Sequence, residues 1–272
     1  MPTDPYAPLS FDDYGAAIGA AATVLRANAT SCPLQTPVPT CPGWTLADLV
    51  VHQGMVHRWA TDRLSGRDGD APGHEAAGRA ASDLLDWFDD GATRLLHVLS
   101  TTPANWDGWF FLRNTDRPRD GWARRQAHET TVHAVDAMSA RLGRAPSAEE
   151  VWFSPALAAD GIDELVTGFA PRRSTRLRSA EPLILELHET DSDRRWSVHI
   201  SPEPVRAGED GPATDADVTW RASARDLYLA VWNRVDGAGA DPGENRIQIE
   251  ARTDSGAEAR RLWTELFTVE WT

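Results

Sequence analysis

The sequence predicts a four-helix bundle followed by a smaller α+β domain, on three observations. The first half holds long stretches with helical spacing of apolar residues, two of them opened by capping boxes. The second half contains short β-branched runs of alternating polarity mixed with helical segments. Glu129 and His133 lie four residues apart, so a helix stacks them on one face, one turn from each other. With 272 residues and 41% hydrophobic content, the chain can bury one large core or two ordinary ones. The join is expected near 144–154, dividing it into domains 1–150 and 151–272.

Ser10 with Asp13 three residues later forms the pattern of a capping box and opens an Ala-rich helix reaching about Asn28. A Pro-rich loop, PLQTPVPTCPGW, follows. Thr45 with Asp48 repeats the capping pattern and starts a second helix ending near Leu64, after which Gly66 to Gly73 reads as a polar loop. The third helix is expected over Glu75 to Leu99. The fourth begins near Asp120, carries Glu129 and His133, and stops at Leu142 because Gly143 suits the left-handed conformation past a helix end. In the second half, Leu157, Ile162, Leu165, Val166 and Phe169 recur at helical spacing. PLILELHE (Pro182 to Glu189) and RWSVHIS (Arg195 to Ser201) flank the turn-rich TDSDR as a hairpin, with ADVTWRA (Ala216 to Ala222) and RIQIEA (Arg246 to Ala251) as further strands of an antiparallel sheet. Helices return at ARDLYLAVWNRV and GAEARRLWTELF. DGAGADPGEN (236–245) reads as a loop, since it lacks the glycine spacing and helix start of a phosphate cradle.

Asp and Glu number 41 against 27 Lys and Arg, a formal charge of -14 that repels nucleic acid and anionic membranes. No run approaches the length of a membrane span, and MPTDPYAPLS has neither the basic start nor the apolar core of a signal peptide, so a cytoplasmic location is expected. An anionic ligand would need a local arginine cluster. The two cysteines, Cys32 and Cys41, are expected as free thiols, with a small disulfide loop as the other arrangement.

Carboxylate and imidazole stacked one turn apart make half a metal site, and His52 in TLADLVVHQGMVHRWA is the best placed third ligand. Each helical residue advances about 100°, so Trp122, Arg125, Glu129, His133 and Asp136 share one face. That face equally fits the solvated side of an amphipathic helix. His52 is flanked on its own face by Leu49, Met55, Val56 and Trp59 and should be buried, either as a ligand or as a core histidine hydrogen-bonded to a carboxylate or carbonyl. His57 points elsewhere, and His128 is rotated from Glu129 and reads as structural. H-E-T-T-V-H is not the zincin motif, which places two histidines at i and i+4 around the glutamate.

VPTCPGWTLADLVVHQGMVHRWA followed by RRQAHETTVHAVDA resembles the mycothiol-dependent maleylpyruvate isomerase family of actinobacteria. The resemblance spans roughly Ser10 to Leu142, and ALAADGIDELVTGF with DLYLAVWNR is similar to the smaller C-terminal domain of that family. It implies a DinB-like bundle whose metal ligands are His52, Glu129 and His133, a divalent ion such as zinc, and mycothiol as co-substrate. The open position of the metal would lower the thiol pKa, and the thiolate would add to maleylpyruvate, allow bond rotation, and leave as the trans product forms.

A carboxylate substrate needs cations, for which Arg125, one turn before Glu129, and Arg234 are the candidates, each also readable as an ordinary surface arginine. Asp136 could accept a hydrogen bond from a ligand histidine. Trp44, just ahead of the helix that carries His52, is the candidate contact for the thiol cofactor; Trp59, Trp106, Trp109 and Trp122 read chiefly as core. The partners expected are a small electrophile and a thiol, with no nucleic acid or membrane, in a monomer or homodimer. A mycothiol S-transferase acting on another electrophile, and a non-catalytic metal sensor closed by a fourth protein ligand, are the competing functions. Alanine at any of the three ligands is expected to remove the metal and largely spare the fold.

Overall fold

A computed structural model of the chain describes residues 7–209, 211, 213, 215–235, 247–252 and 255–267. It divides into two compact units, Ser10–Pro146 and a second one holding the residues from Ser147 onward.

The first unit contains α1 (Phe11–Thr30), α2 (Leu46–Leu64), α3 (Ala71–Arg79), α4 (Leu84–Thr101) and α5 (Pro118–Leu142). The four long helices form the bundle. Both capping boxes are present: Ser10 and Thr45 each accept from the backbone three residues on, and Asp13 and Asp48 return the bond to the cap backbone. α5 ends at Gly143, whose φ of 71° is left-handed. Helix α1 packs on α5 and α4, and α2 packs on α4, α5 and α3. Ile18, Leu25, Leu49, Phe88, Leu95 and Ala127 are fully buried.

The stretch expected as one helix from Glu75 to Leu99 is two. The Asp70 carboxylate caps Gly73 N, and Pro72 in the first turn starts α3 early, within the expected loop. Asp83 then accepts from Leu85 N and Asp86 N and restarts the chain as α4. Trp87 of α4 lies against Gly54 of α2 and Gly78 of α3, with the Arg58 guanidinium 3.8 Å above its ring. A methyl group on Gly54 would enter the Trp87 ring. Gly54→Ala should therefore destabilise the bundle by about 1–3 kcal/mol in a urea titration.

The second unit holds α6 (Pro155–Asp163), continued by a π-helical stretch Glu164–Phe169, then β1 (Leu183–Glu189), β2 (Arg195–Ile200), β3 (Arg206–Glu209), β4 (Val218–Ala222), α7 (Ala224–Val231), β5 (Gln248–Ala251) and α8 (Ser255–Leu266). The hairpin forms as expected, with Leu185 opposite Val198 and Leu187 opposite Trp196. The sheet, ordered β3-β2-β1-β4-β5, is mixed rather than antiparallel, because β4 pairs with β1 in parallel. The unforeseen β3 pairs with the outer side of β2, so the chain must cross to the free side of β1. There Asp217 fixes the start of β4, accepting from Ile184 N while its own N–H donates to Ile184 O. The loop 236–245 and Arg246 lie outside the described residues. Among the described residues, no helix is long and apolar enough to cross a membrane.

Candidate metal centre

Helices α2 and α5 bring together the three residues the sequence singled out. His52 Nε2 lies 3.4 Å from Glu129 Oε1, and His133 Nε2 lies 3.3 Å from the same oxygen. The imidazoles meet edge to face, their centroids 4.9 Å apart. The side chains are 17% (His52), 10% (His133) and 5% (Glu129) exposed, so this face of α5 is no solvated helix surface. Its burial is the reason the carboxylate needs partners.

The spacing discriminates between kinds of contact. Charge-assisted hydrogen bonds run at about 2.7–2.9 Å, whereas donors joined to one tetrahedral ion by bonds of about 2.0–2.1 Å stand roughly 3.3–3.4 Å apart. The two distances to Glu129 Oε1 match the second value. A neighbouring group, Cys41, His133 and Asp136, also gathers potential ligands. There His133 Nδ1 is 2.9 Å and Cys41 Sγ 3.2 Å from Asp136 Oδ2, short of the roughly 3.3 and 3.5 Å that tetrahedral coordination would set. Those are hydrogen-bond lengths. The donor set of two imidazoles and a carboxylate fits a zinc-like ion at His52, Glu129 and His133 and leaves one tetrahedral position open.

Two of the three candidate ligands are held from behind. Arg125 Nη2 donates to Glu129 Oε2 at 2.9 Å, leaving Oε1 to face the histidines. The Nδ1–H of His133 donates to Asp136, which leaves Nε2 as the ring nitrogen facing Glu129 Oε1. Burial alone would raise the Glu129 carboxyl, but the adjacent His133 and His52 rings and the charge of Arg125 outweigh it and hold the group well below its usual range. Burial would lower His133, yet Asp136, Cys41 and Glu129 together hold it well above. His52 is lowered, by burial first, with Glu129 opposing.

Arg125, read either as a cation for a substrate carboxylate or as a surface arginine, has no exposed surface and is paired with Glu129. Arg234 belongs to the second unit, where its Nη1 donates to Trp232 O at 2.7 Å. The Trp44 ring lies 5.0 Å from the His52 ring and stacks at 6.1 Å on His133. Trp59 and Trp122 are in contact with each other and with Trp109, which is 54% exposed and so no core residue. His128 is fully buried against Tyr14, and Cys32 and Cys41 are free thiols. Thr40 and Cys41 went unrecognised: they donate to Asp136 from the PTCPGW loop, a string whose distinctiveness was visible but whose polar residues had no assigned chemistry.

The sequence matches two domain descriptions, the mycothiol maleylpyruvate isomerase N-terminal domain over residues 16–138 and the MDMPI C-terminal domain over 156–260. The chain belongs to the mycothiol-dependent maleylpyruvate isomerase family. This is a family of enzymes, and both of its domains are present in the expected order. The fold is similar to a crystal structure of the mycothiol-dependent maleylpyruvate isomerase, with a TM-score of 0.57 at 14% identity over 87% of this chain and 96% of that one. It is also similar to the H52A mutant of the mycothiol-dependent maleylpyruvate isomerase, so numbered in that protein, with a TM-score of 0.56 at 14% identity and the same coverage of both chains. No curated protein matches the sequence.

Proposed function

We propose that this member of the maleylpyruvate isomerase family is a metal-dependent enzyme that isomerises a cis double bond activated by carbonyl groups, using a low-molecular-weight thiol, mycothiol, as a reversibly adding nucleophile. The observation that carries the reading is the convergence of His52 Nε2 and His133 Nε2 on one oxygen of Glu129 at metal-ligand spacing. His52, Glu129 and His133 would hold the ion, zinc by its donor set. When bound, such an ion supplies Lewis acidity that lowers the pKa of a thiol at its remaining position, so that the thiolate is available at neutral pH.

The protein's own residues set up that chemistry. Arg125 fixes which oxygen of Glu129 faces the imidazoles, and Asp136 fixes the tautomer of His133. Trp44 presents an apolar ring beside both histidines, where it limits water and offers a surface for the carbon skeleton of the thiol. Elimination returns the thiol, so isomerisation consumes none; a transferase consumes one per turnover.

The test is conversion of maleylpyruvate to fumarylpyruvate by protein purified without chelator, followed by ultraviolet absorbance at substoichiometric mycothiol. Many turnovers per thiol are expected. Thiol consumed one for one, across a panel of electrophiles, would replace the isomerase with the S-transferase. About one tightly held metal with no thiol-dependent turnover would favour the sensor.

A further inference from the structure

The geometry points to Thr40 and Cys41 as positioning residues for His133, Thr40 through Asp136 and Cys41 from beside both Asp136 and His133, so that the PTCPGW loop sets the metal affinity of a centre it does not itself ligate. This rests on reading His52, Glu129 and His133 as the metal site.

Asp136 follows His133 by three residues on α5 and is fully buried. Helix geometry brings the two side chains within reach of each other but does not choose the carboxylate's orientation. The loop chooses it. Thr40 Oγ1 donates to Asp136 Oδ1 at 2.6 Å, and Cys41 Sγ donates to Oδ2 at 3.2 Å, the oxygen that also accepts His133 Nδ1–H at 2.9 Å. Ser139 Oγ, one turn along α5, lies 2.9 Å from Thr40 Oγ1 and donates to the Asp136 carbonyl, closing the network on the helix.

The loop is built to deliver these donors together. Val38 N–H donates to Trp44 O at 2.9 Å, Cys41 N–H to Val38 O at 3.0 Å, and Trp44 N–H to Cys41 O at 3.0 Å, while Pro37 and Thr45 form a bridge at its base. Thr40, Cys41 and Trp44 therefore move as one body. One side of it grips the carboxylate behind His133, and the other lays the Trp44 ring against both imidazoles. A carboxylate held in this way fixes the His133 ring through Nδ1–H and keeps Nε2 aimed at the spot shared with Glu129 Oε1. Without the loop donors, the Asp136 carboxylate loses two of the bonds that set its orientation, and the His133 ring is held less firmly.

The experiment compares the donor-less variant Thr40→Val/Cys41→Ala with the donor-retaining Thr40→Ser/Cys41→Ser in the full chain. Zinc dissociation constants are read by competition with a chromophoric chelator, and the ligand geometry from the visible absorption of the cobalt-substituted protein. The donor-less variant should bind zinc about 10–100-fold more weakly with an altered cobalt spectrum, and the donor-retaining one should stay within about threefold of wild type. If the double variant does not fold, Cys41→Ala alone is read in the same way, with a rise of about threefold or more expected. Unchanged affinity and spectrum without the donors would overturn the assignment, and so would equal weakening in the serine pair, which would make the two side chains mere packing. A wild-type chain that takes up neither zinc nor cobalt would instead overturn the metal reading itself, and this inference with it.

Discussion

Replacing His52, Glu129 or His133 with alanine should take the protein from about one metal per chain to none, but the three variants should differ in stability. Removing one of three ligands leaves two donors, too few to hold a zinc-like ion against a chelator. The difference lies in what is left behind. His52 is the most exposed of the three, so its loss should cost about 1–2 kcal/mol in the metal-free state. Glu129 is paired at 2.9 Å with Arg125, which has no exposed surface. Glu129→Ala removes a carboxylate from that buried guanidinium and should cost about 3–5 kcal/mol. The sequence-based expectation that all three variants largely keep their fold is thus revised for Glu129. Glu129→Gln, which keeps an oxygen for Arg125, should fall between. Urea titrations in excess chelator isolate these costs from the stabilisation that bound metal adds to wild type alone, and mass spectrometry gives the metal content. Equal stability of Glu129→Ala and His52→Ala would show that the buried pair contributes little, and metal retained in all three variants would remove them as the ligand set.

What could be read beforehand followed from short-range rules. Capping boxes at Ser10 and Thr45 and a glycine at 143 are local signals with local causes, and they located three of the helix ends. The pair Glu129 and His133 was legible because four residues make one helical turn. His52 could be proposed from its apolar surroundings, but nothing in the sequence measures the distance from α2 to α5, and its assignment rested on family resemblance. Burial was the main obstacle. Helix α5 is buried almost all round from Gly121 to Ala140, including Arg125, Gln126, His128 and Asp136. Polar residues on a helix read as a wet face, since sequence pattern does not show which charges have found partners. The burial of Arg125 was missed for that reason, and Cys41 was expected as a free thiol with no role assigned to it. The parallel pairing of β4 escaped notice because it depends on β3, a four-residue strand with no alternation strong enough to announce it.

His57 should make the protein acid-sensitive in a way that can be isolated by substitution. It is fully buried, with its Nε2 accepting from Gln53 Nε2 at 2.8 Å and lying 3.0 Å from Thr130 Oγ1. Protonation would set an imidazolium N–H against the Gln53 amide, donor against donor. Burial, and secondarily the charge of Arg58, pushes the group down from 6.5 to about 3. In the unfolded chain it regains the ordinary value, so between pH 6.5 and 3 the unfolded state binds the extra proton and stability falls as pH falls. Above pH 6.5 both states are neutral and the effect vanishes; by pH 3 the cumulative loss reaches its limit of about 5 kcal/mol. Neutral His57→Gln lacks this titration. Its stability relative to wild type should therefore improve by about 1.4 kcal/mol for each pH unit descended between pH 6 and 4, measured by urea titration in chelator, whatever its offset at pH 7. The carboxylates titrate in both proteins and cancel in the difference. Parallel pH profiles for the two would mean that His57 takes up its proton in the folded state, which the Gln53 contact opposes.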